Sequence, residues 1–288
     1  MQGPAAKTVL ELLKPVTWFP PMWAFGCGAV SSGVGLADQW PRVLAGLAVA
    51  GPLVCGTSQA ANDWFDRHVD AVNEPSRPIP SGRMPGNWGL RVAVGWTLLS
   101  IAVAPVLGTT GFVATLLALA FAWAYSAPPL RLKRNGWAGN TACALSYEGL
   151  AWITGAAVML GGAAPDGRSV ALALLYSLGA HGIMTLNDFK SIAGDRQWGI
   201  DSLPVLLGVD GACRVACAFM AGAQAVVVAL LLNWGHPLHA AGVGALLASQ
   251  LLLMRRLLAD PVQRATWYSG FGVTLYVLGM LVSAFALR

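Results

Sequence analysis

The sequence predicts an all-α integral membrane protein: nine transmembrane helices in one bundle, with two Asp-rich loops at its cytoplasmic face. Three observations carry this. Only 11% of the 288 residues are charged, against roughly 25% in soluble domains. The mean hydropathy is +0.60. The apolar runs also reach the roughly 20 residues that a helix needs to cross the hydrocarbon core.

Residues 1–15, "MQGPAAKTVLELLKP", form an N-terminal cytoplasmic segment with no signal-peptide cleavage pattern. Val9, Leu10, Leu12 and Leu13 between Lys7 and Lys14 read either as a short interfacial helix ended by Pro15 or as an irregular tail. Spans follow at 16–37 and 43–61, then a long polar inner loop, "NDWFDRHVDAVNEPSRPIPSGRMPG". Spans 90–107 and 111–127 are joined by the uncharged outer turn "GTTG" and lead into "YSAPPLRLKR" on the inner side. Spans 140–161 and 169–186 flank "GGAAPDGR"; a second inner loop, "NDFKSIAGDRQWGIDSLPVLLG", follows. Spans 212–232 and 238–253 flank "NWGHPLH", and 267–287 closes the chain. No low-complexity linker divides the sequence, so residues 1–288 read as a single domain.

The loop charges set the orientation. With the N-terminus inside, fifteen of the eighteen Lys and Arg fall on inner segments, leaving Arg42, Arg168 and Arg288 outside. This is the positive-inside pattern. It accounts for the net charge of +5 and points to a lipid bilayer, not to nucleic acid. Five cysteines without a CxxC pair read as small buried hydrophobes, with neither disulfide framework nor zinc site.

Three of the thirteen acids sit in "NDWFDRHVD", Asn62 to Asp70. At about 100° per residue, Asp63, Asp66 and Asp70 share a ~60° arc of a helix. The second inner loop repeats the pattern: Asn187-Asp188 matches Asn62-Asp63, and Asp195 matches Asp70 at the same offset, so Asp188 and Asp195 share a stripe. Like charges stacked in this way repel, and burying them costs more, unless a cation neutralises them. Oxygen-only ligands favour a hard ion, Mg²⁺, together with phosphate oxygens. Two facing stripes then suit a diphosphate held between metal ions. Arg77, Arg131, Lys133 and Lys190 lie close by in sequence and can stabilise a charged leaving group. Glu148, the one acid deep in a span, is a candidate substrate-binding group by its position.

The strings "NDxxDxxxD" at Asn62–Asp70, "YSxPPLRLK" at Tyr125 and "GDxxxGxxSLP" from Gly194 resemble the UbiA-type intramembrane prenyltransferases. The resemblance covers the whole chain and implies a UbiA-like bundle. Within that family, "NEPSRPIPSG", "NDFKSIAGDRQWGIDSLPV", "RLKRNGWAGN" and "SYEGLAWITGAAVM" are most similar to the bacteriochlorophyll and chlorophyll synthases, above all those of purple bacteria. One departure is Ser191, where quinone-pathway members carry a further Asp.

The resemblance implies transfer of a geranylgeranyl or phytyl group from its diphosphate to the propionate of a bacteriochlorophyllide, in a bacterial inner or intracytoplasmic membrane. It implies Asp63, Asp66, Asp70, Asp188 and Asp195 as metal ligands, and Lys190 as a catalytic group beside them. Asn62, Asn187, Arg77, Tyr125, Arg131 and Lys133 are implied around the substrates. Trp64, Phe65, Tyr125 and Tyr147 can steady an allylic cation. The acceptor carboxylate is ionised at neutral pH, so no general base is needed. His68 and His181 read as structural histidines before they read as ligands to the pigment's central metal. Enzymes of the pigment pathway are candidate partners. The alternative acceptors are a quinone precursor or haem. A transporter would place its polar groups at the bilayer midplane instead.

Overall fold

The computed structural model describes residues 3–37 and 39–288, with Asn73 in backbone only, so Met1 and Gln2 of the N-terminal segment lie outside the described residues. The described residues are helical throughout, joined by turns and one isolated backbone bridge between Asn135 and Asp201. Seven helical stretches are long and apolar enough to cross a membrane: Trp40–Val72, Trp88–Ser126, Gly136–Met159, Gly167–Trp198, Leu203–Asn233, Pro237–Ala259 and Pro261–Ala286. The expected spans 90–107 and 111–127 fall within one of these stretches, and span 16–37 contains a helix of only 13 residues. In lipid every backbone polar group must be satisfied within the chain, which is why only helices carry these runs.

Short helix α1 (Ala6–Leu13) resolves the choice left open for the N-terminal segment. Its buried Leu12 and Leu13 pack with Ala60, Ala61 and Ala93. On its exposed face, Arg83 donates to Glu11 at 2.7 Å and tethers the helix to the loop that precedes Trp88; this ion pair holds the Glu11 carboxyl below its ordinary pKa. Pro15 opens a single 3₁₀ turn before α2 (Phe19–Ser31).

The second long element is α3 (Trp40–Ala48), a π-helical segment Val49–Cys55, and α4 (Gly56–Asn73). Pro52 inside it has no N–H to give the preceding turn, so the ladder slips to wider spacing there. Helices α5 (Trp88–Val103) and α6 (Gly108–Ser126) follow. A second π segment, Leu145–Leu150, separates α7 (Gly136–Ala144) from α8 (Ala151–Met159). The rest is α9 (Gly167–Asp188), a 3₁₀ turn Phe189–Ser191, α10 (Ile192–Trp198), α11 (Leu203–Asn233), α12 (Pro237–Ala259) and α13 (Pro261–Ala286).

Packing in lipid relies on close backbone approach and on buried polar pairs, because apolar side chains gain little by leaving acyl chains. Both devices are present. Helix α2 lies on α8 where Gly28 and Gly155 interlock. A Cβ at Gly28 would stand 1.9 Å from the Trp152 carbonyl oxygen, and one at Gly155 would stand 2.0 Å from that of Phe25. The buried polar pairs tie α9 to α13, where Tyr176 and Ser283 hydroxyls lie 2.7 Å apart, and α11 to α12, where Gln250 donates to Gln224 at 3.2 Å.

The two acid-bearing regions are helix ends, not loops. Asp63, Asp66 and Asp70 all lie on α4, which runs on to Asn73, and Asp188 is the last residue of α9. The 3₁₀ turn buries Phe189 and starts a new helix, so Asp195 sits on α10 and not on a continuation of α9.

Candidate active site

The two π segments face each other and open a cavity of about 450 Å³ between α4, α6, α7 and α9. Cys55 Sγ and Gln59 Nε2 lie 3.3 and 3.2 Å from the Tyr147 hydroxyl, so one wall is pinned to the other. Ala50, Val54, Ala118, Phe121 and Ala122 line its apolar part; Asn62, Tyr125, Asn140, Asn187, Asp188 and Lys190 line the polar part. Residues 50 to 62 rise about 18 Å along a helix, so the polar mouth lies at the acid-bearing helix ends and the apolar part runs into the bundle. A smaller pocket continues past Ala50, Val54, Ala118 and Ser146 to Leu150 and Thr154.

The mouth carries paired charges. Asn62 donates to Asp66 at 3.2 Å, one helical turn on. Arg131 donates to the other Asp66 oxygen at 3.1 Å, and Lys133 binds the first. Both basic residues arrive from the "YSAPPLRLK" turn, which contains a cis Pro128–Pro129 bond and a left-handed Arg131 (φ 39°). Burial pushes the Lys133 ammonium below its ordinary pKa, with Asp66 pulling the other way. Across the cavity, Asn140 donates to Asp188 at 3.3 Å and equally to Thr185. Asp66, Asp188 and Asp195 all lie within electrostatic reach of the Tyr125 hydroxyl. No cation pairs with Asp188 or Asp195 within 4 Å among the described residues.

Asp63 is set back from this mouth. It is 1% exposed and accepts from Lys14 at 2.6 Å and from Arg77 at 3.4 Å. Arg77 also donates to Asp70 at 2.8 Å. Burial lowers the Arg77 pKa, but Asp63 and Asp70 more than offset it, and the net displacement is upward. The cavity-facing face of α4 is therefore Ser58, Gln59 and Asn62, with Asp66 one turn beyond Asn62, and Asp63 pairs with Lys14 of the segment after α1. Lys14 is the residue the sequence did not suggest: nothing in a periodic pattern links it to a carboxylate 49 positions away.

The other expected residues divide clearly. Tyr125, Tyr147, Asn187 and Lys190 line the cavity. Trp64 packs under Arg67, and Phe65 meets Trp123 edge-on, so neither lines it. Glu148 is buried, with Oε2 unpartnered, but does not line the cavity. Asp201 makes a backbone tie to Arg134 and Gly136. Gln59 and Asn140 were missed, because a lone amide in a span carries no sequence signal.

A hard divalent cation fits these donors. They are all oxygens, and Asp188 meets only an amide. Among the described residues no three His, Cys, Asp or Glu side chains gather around one point. That suits Mg²⁺ shared between one or two carboxylates and phosphate oxygens.

Replacing Lys14 by Met should destabilise the protein by about 2 kcal/mol. That is below the ~3–5 kcal/mol of a fully broken buried pair, because Arg77 still faces Asp63. Thermal unfolding in detergent measures it, and the Lys14→Met/Asp63→Asn double variant should recover most of the loss.

The model of the UbiA prenyltransferase family matches residues 17–278. The chain is 59% identical to the bacteriochlorophyll synthase 33 kDa chain of Cereibacter sphaeroides, over 99% of this chain and 94% of that one. It is 38% identical to the chloroplastic chlorophyll synthase of Arabidopsis thaliana, over 97% and 74%. Two solved structures share the fold. One is a digeranylgeranylglyceryl phosphate synthase (TM-score 0.75, 21% identity, 97% of this chain and 98% of that one). The other is a UbiA homolog from Archaeoglobus fulgidus bound to DMAPP and Mg²⁺ (TM-score 0.72, 19% identity, 95% and 99%).

Proposed function

The chain belongs to the UbiA prenyltransferase family, and from that premise we propose that it transfers a C20 prenyl group, geranylgeranyl or phytyl, from its diphosphate to the propionate carboxylate of a (bacterio)chlorophyllide. The observation that carries this reading is the juxtaposition of Asp66 and Asp188 at the mouth of a cavity whose far part is apolar. Charge binding at the mouth suits a diphosphate, and the apolar part suits its hydrocarbon tail. The likeness to synthases named for chlorophyll and bacteriochlorophyll supplies the acceptor.

Asp66, Asp70, Asp188 and Asp195 would hold Mg²⁺ there, with Asp63 anchoring Lys14 and Arg77 beside them. When bound, the metal supplies Lewis-acid neutralisation of the diphosphate. Arg131, Lys133 and Lys190 bind diphosphate oxygens and stabilise the charge that gathers on them as the allylic C–O bond breaks. Asn62 and Asn187 orient these oxygens. Phe121, Tyr125 and Tyr147 keep water from the allylic carbon and offer ring faces to its positive charge. The acceptor oxygen, already anionic, forms the new ester C–O bond, and diphosphate leaves. No side chain has to take a proton.

We also read nine crossings, eight in the seven long stretches and one in α2. Trp123 Nε1 donates to Thr97 at 3.0 Å, which supports folding Trp88–Ser126 back on itself near Gly108. Helix α2, packed between α8 and α13, supplies the remaining crossing. The excess of Lys and Arg on one side then puts the N-terminus and the acid-bearing helix ends in the cytoplasm. The membrane is the bacterial inner or intracytoplasmic one.

The acceptor is tested by incubating membranes with geranylgeranyl diphosphate, Mg²⁺ and either bacteriochlorophyllide or 4-hydroxybenzoate. Ester formation with bacteriochlorophyllide is expected; prenylation of only the benzoate would overturn the reading. Chelation with EDTA should remove at least about 99% of turnover, given the charge it leaves uncompensated, and added Mg²⁺ should restore it. Full activity in EDTA would remove the metal from the scheme.

A further inference from the structure

Outside the donor site, one side chain has chemistry that the scheme above does not use. His181, on α9, is the one buried histidine among the described residues, 4% exposed. Neither ring nitrogen has a hydrogen-bond partner. The Trp137 carbonyl lies near enough to interact with one of them without reaching hydrogen-bond geometry. A buried imidazole that serves packing alone is normally hydrogen-bonded, and this one makes no hydrogen bond of full geometry.

Its surroundings are built for a flat ring. His181 sits between the Trp137 ring (centroids 5.6 Å apart, 31° between planes) and Phe219 (5.0 Å, 72°). These line an apolar cavity of about 220 Å³ between α7, α9 and α11, with Thr141, Leu145, Ser177 and Leu178. Trp137 is 41% exposed and covers the imidazole from outside, so a turn of that indole opens the nitrogens to a ligand.

The cavity connects to the donor site in two ways. It shares Trp137, Thr141 and Leu145 with a shallow groove along α7, and that groove shares Phe121 and Ala142 with the central cavity. Along α9, His181, Thr185 and Asp188 follow at four and three residues on one face, and Asn140 bridges the last two. The rise from His181 to Asp188 is about 10 Å, comparable to the reach of a tetrapyrrole's propionate from the centre of its ring.

Resting on the acceptor class proposed above, we infer that His181 is the axial ligand to the central metal of the tetrapyrrole acceptor, whose ring lies against Trp137 and Phe219. The imidazole binds the metal through one nitrogen, and a small turn of the ring brings the other to the nearby Trp137 carbonyl, the arrangement usual for metal-binding histidines. Metal and ring at His181 then direct the propionate around α7 toward Asp188.

The test uses purified full-length protein in lipid nanodiscs, with bacteriochlorophyllide and its metal-free counterpart. Wild type should bind the metallated pigment at least about tenfold more tightly and show vibrational bands of nitrogen ligation. His181→Ala should abolish that preference and those bands. It should also raise KM for the acceptor at least about tenfold and leave KM for the prenyl diphosphate unchanged; added imidazole should restore the bands. A His181→Ala protein that keeps preference, bands and KM overturns the assignment, as does a wild type with no preference. If the Ala variant does not fold, His181→Gln, which keeps size and polarity, answers by the same measurements. A wild type that ligates the pigment but esterifies none of it removes the proposed function and leaves this site standing. A wild type that esterifies bacteriochlorophyllide, with a His181→Ala variant indistinguishable from it, removes the site alone.

Discussion

Asp66→Asn should lower prenyl transfer by about a thousandfold while the protein still inserts. Two effects add. The substitution removes the carboxylate that faces the cavity mouth, and loss of one preorganised charge-stabilising group typically costs about 10²–10³ in turnover. It also frees Arg131 and Lys133, both paired to Asp66, to close on the diphosphate without a counter-charge. That tightens the ground state as well as the transition state and gives no compensating rate. The loss should therefore appear in kcat, with little rise in KM for the prenyl diphosphate. Asp188→Asn should behave alike, since Asp188 meets only the Asn140 amide. Asp63→Asn should differ: its carboxylate is tied to Lys14 and Arg77, so stability should fall more than turnover. Steady-state kinetics in detergent and a thermal melt on the same preparations separate the cases. Near-normal turnover by both Asp66→Asn and Asp188→Asn would remove the diphosphate clamp from this mouth.

The second large effect concerns folding. Gly28→Ala should destabilise the bundle by about 3 kcal/mol or more, the upper range for overpacking a tight interface, because the added carbon would stand 1.9 Å from a backbone oxygen. Backbone cannot rotate away as a side chain can, so α2 and α8 must separate, and the buried Ser31–Ser169 contact of 2.9 Å that ties α2 to α9 is strained with them. Gly26, two residues earlier on the same helix, has nothing within 4 Å of the same added atom. Gly26→Ala should leave the melting temperature unchanged or raise it slightly, since alanine favours the helix by up to about 1 kcal/mol. Equal melting temperatures for the two variants would show that the α2–α8 contact does not hold the bundle together.

The membrane class was legible from hydropathy and charge alone, because burial in lipid constrains composition over every 20-residue window. The α4 acids lie on about two turns of one helix, and Asn62, Tyr125, Asn187 and Asp188, which the sequence groups, line one cavity. Two local details were not legible: a 3₁₀ turn at Phe189–Ser191 comes between Asp188 and Asp195, and Asp63 pairs with Lys14. Helical periodicity assumes a continuous helix and says nothing of which neighbour covers each face.

The sequence by itself determined a membrane-embedded helical protein with carboxylates massed on one side, since each of these properties is local and one-dimensional. Only the tertiary structure decided which charges pair and which stay free: Asp63 with Lys14, Asp66 with Lys133, Asp188 with an amide. It alone set Gly28 against a carbonyl and left the nitrogens of His181 without partners. Such pairings depend on how far apart packed helices stand and how they are turned, and residues 49 or more positions apart meet only once the whole bundle has closed.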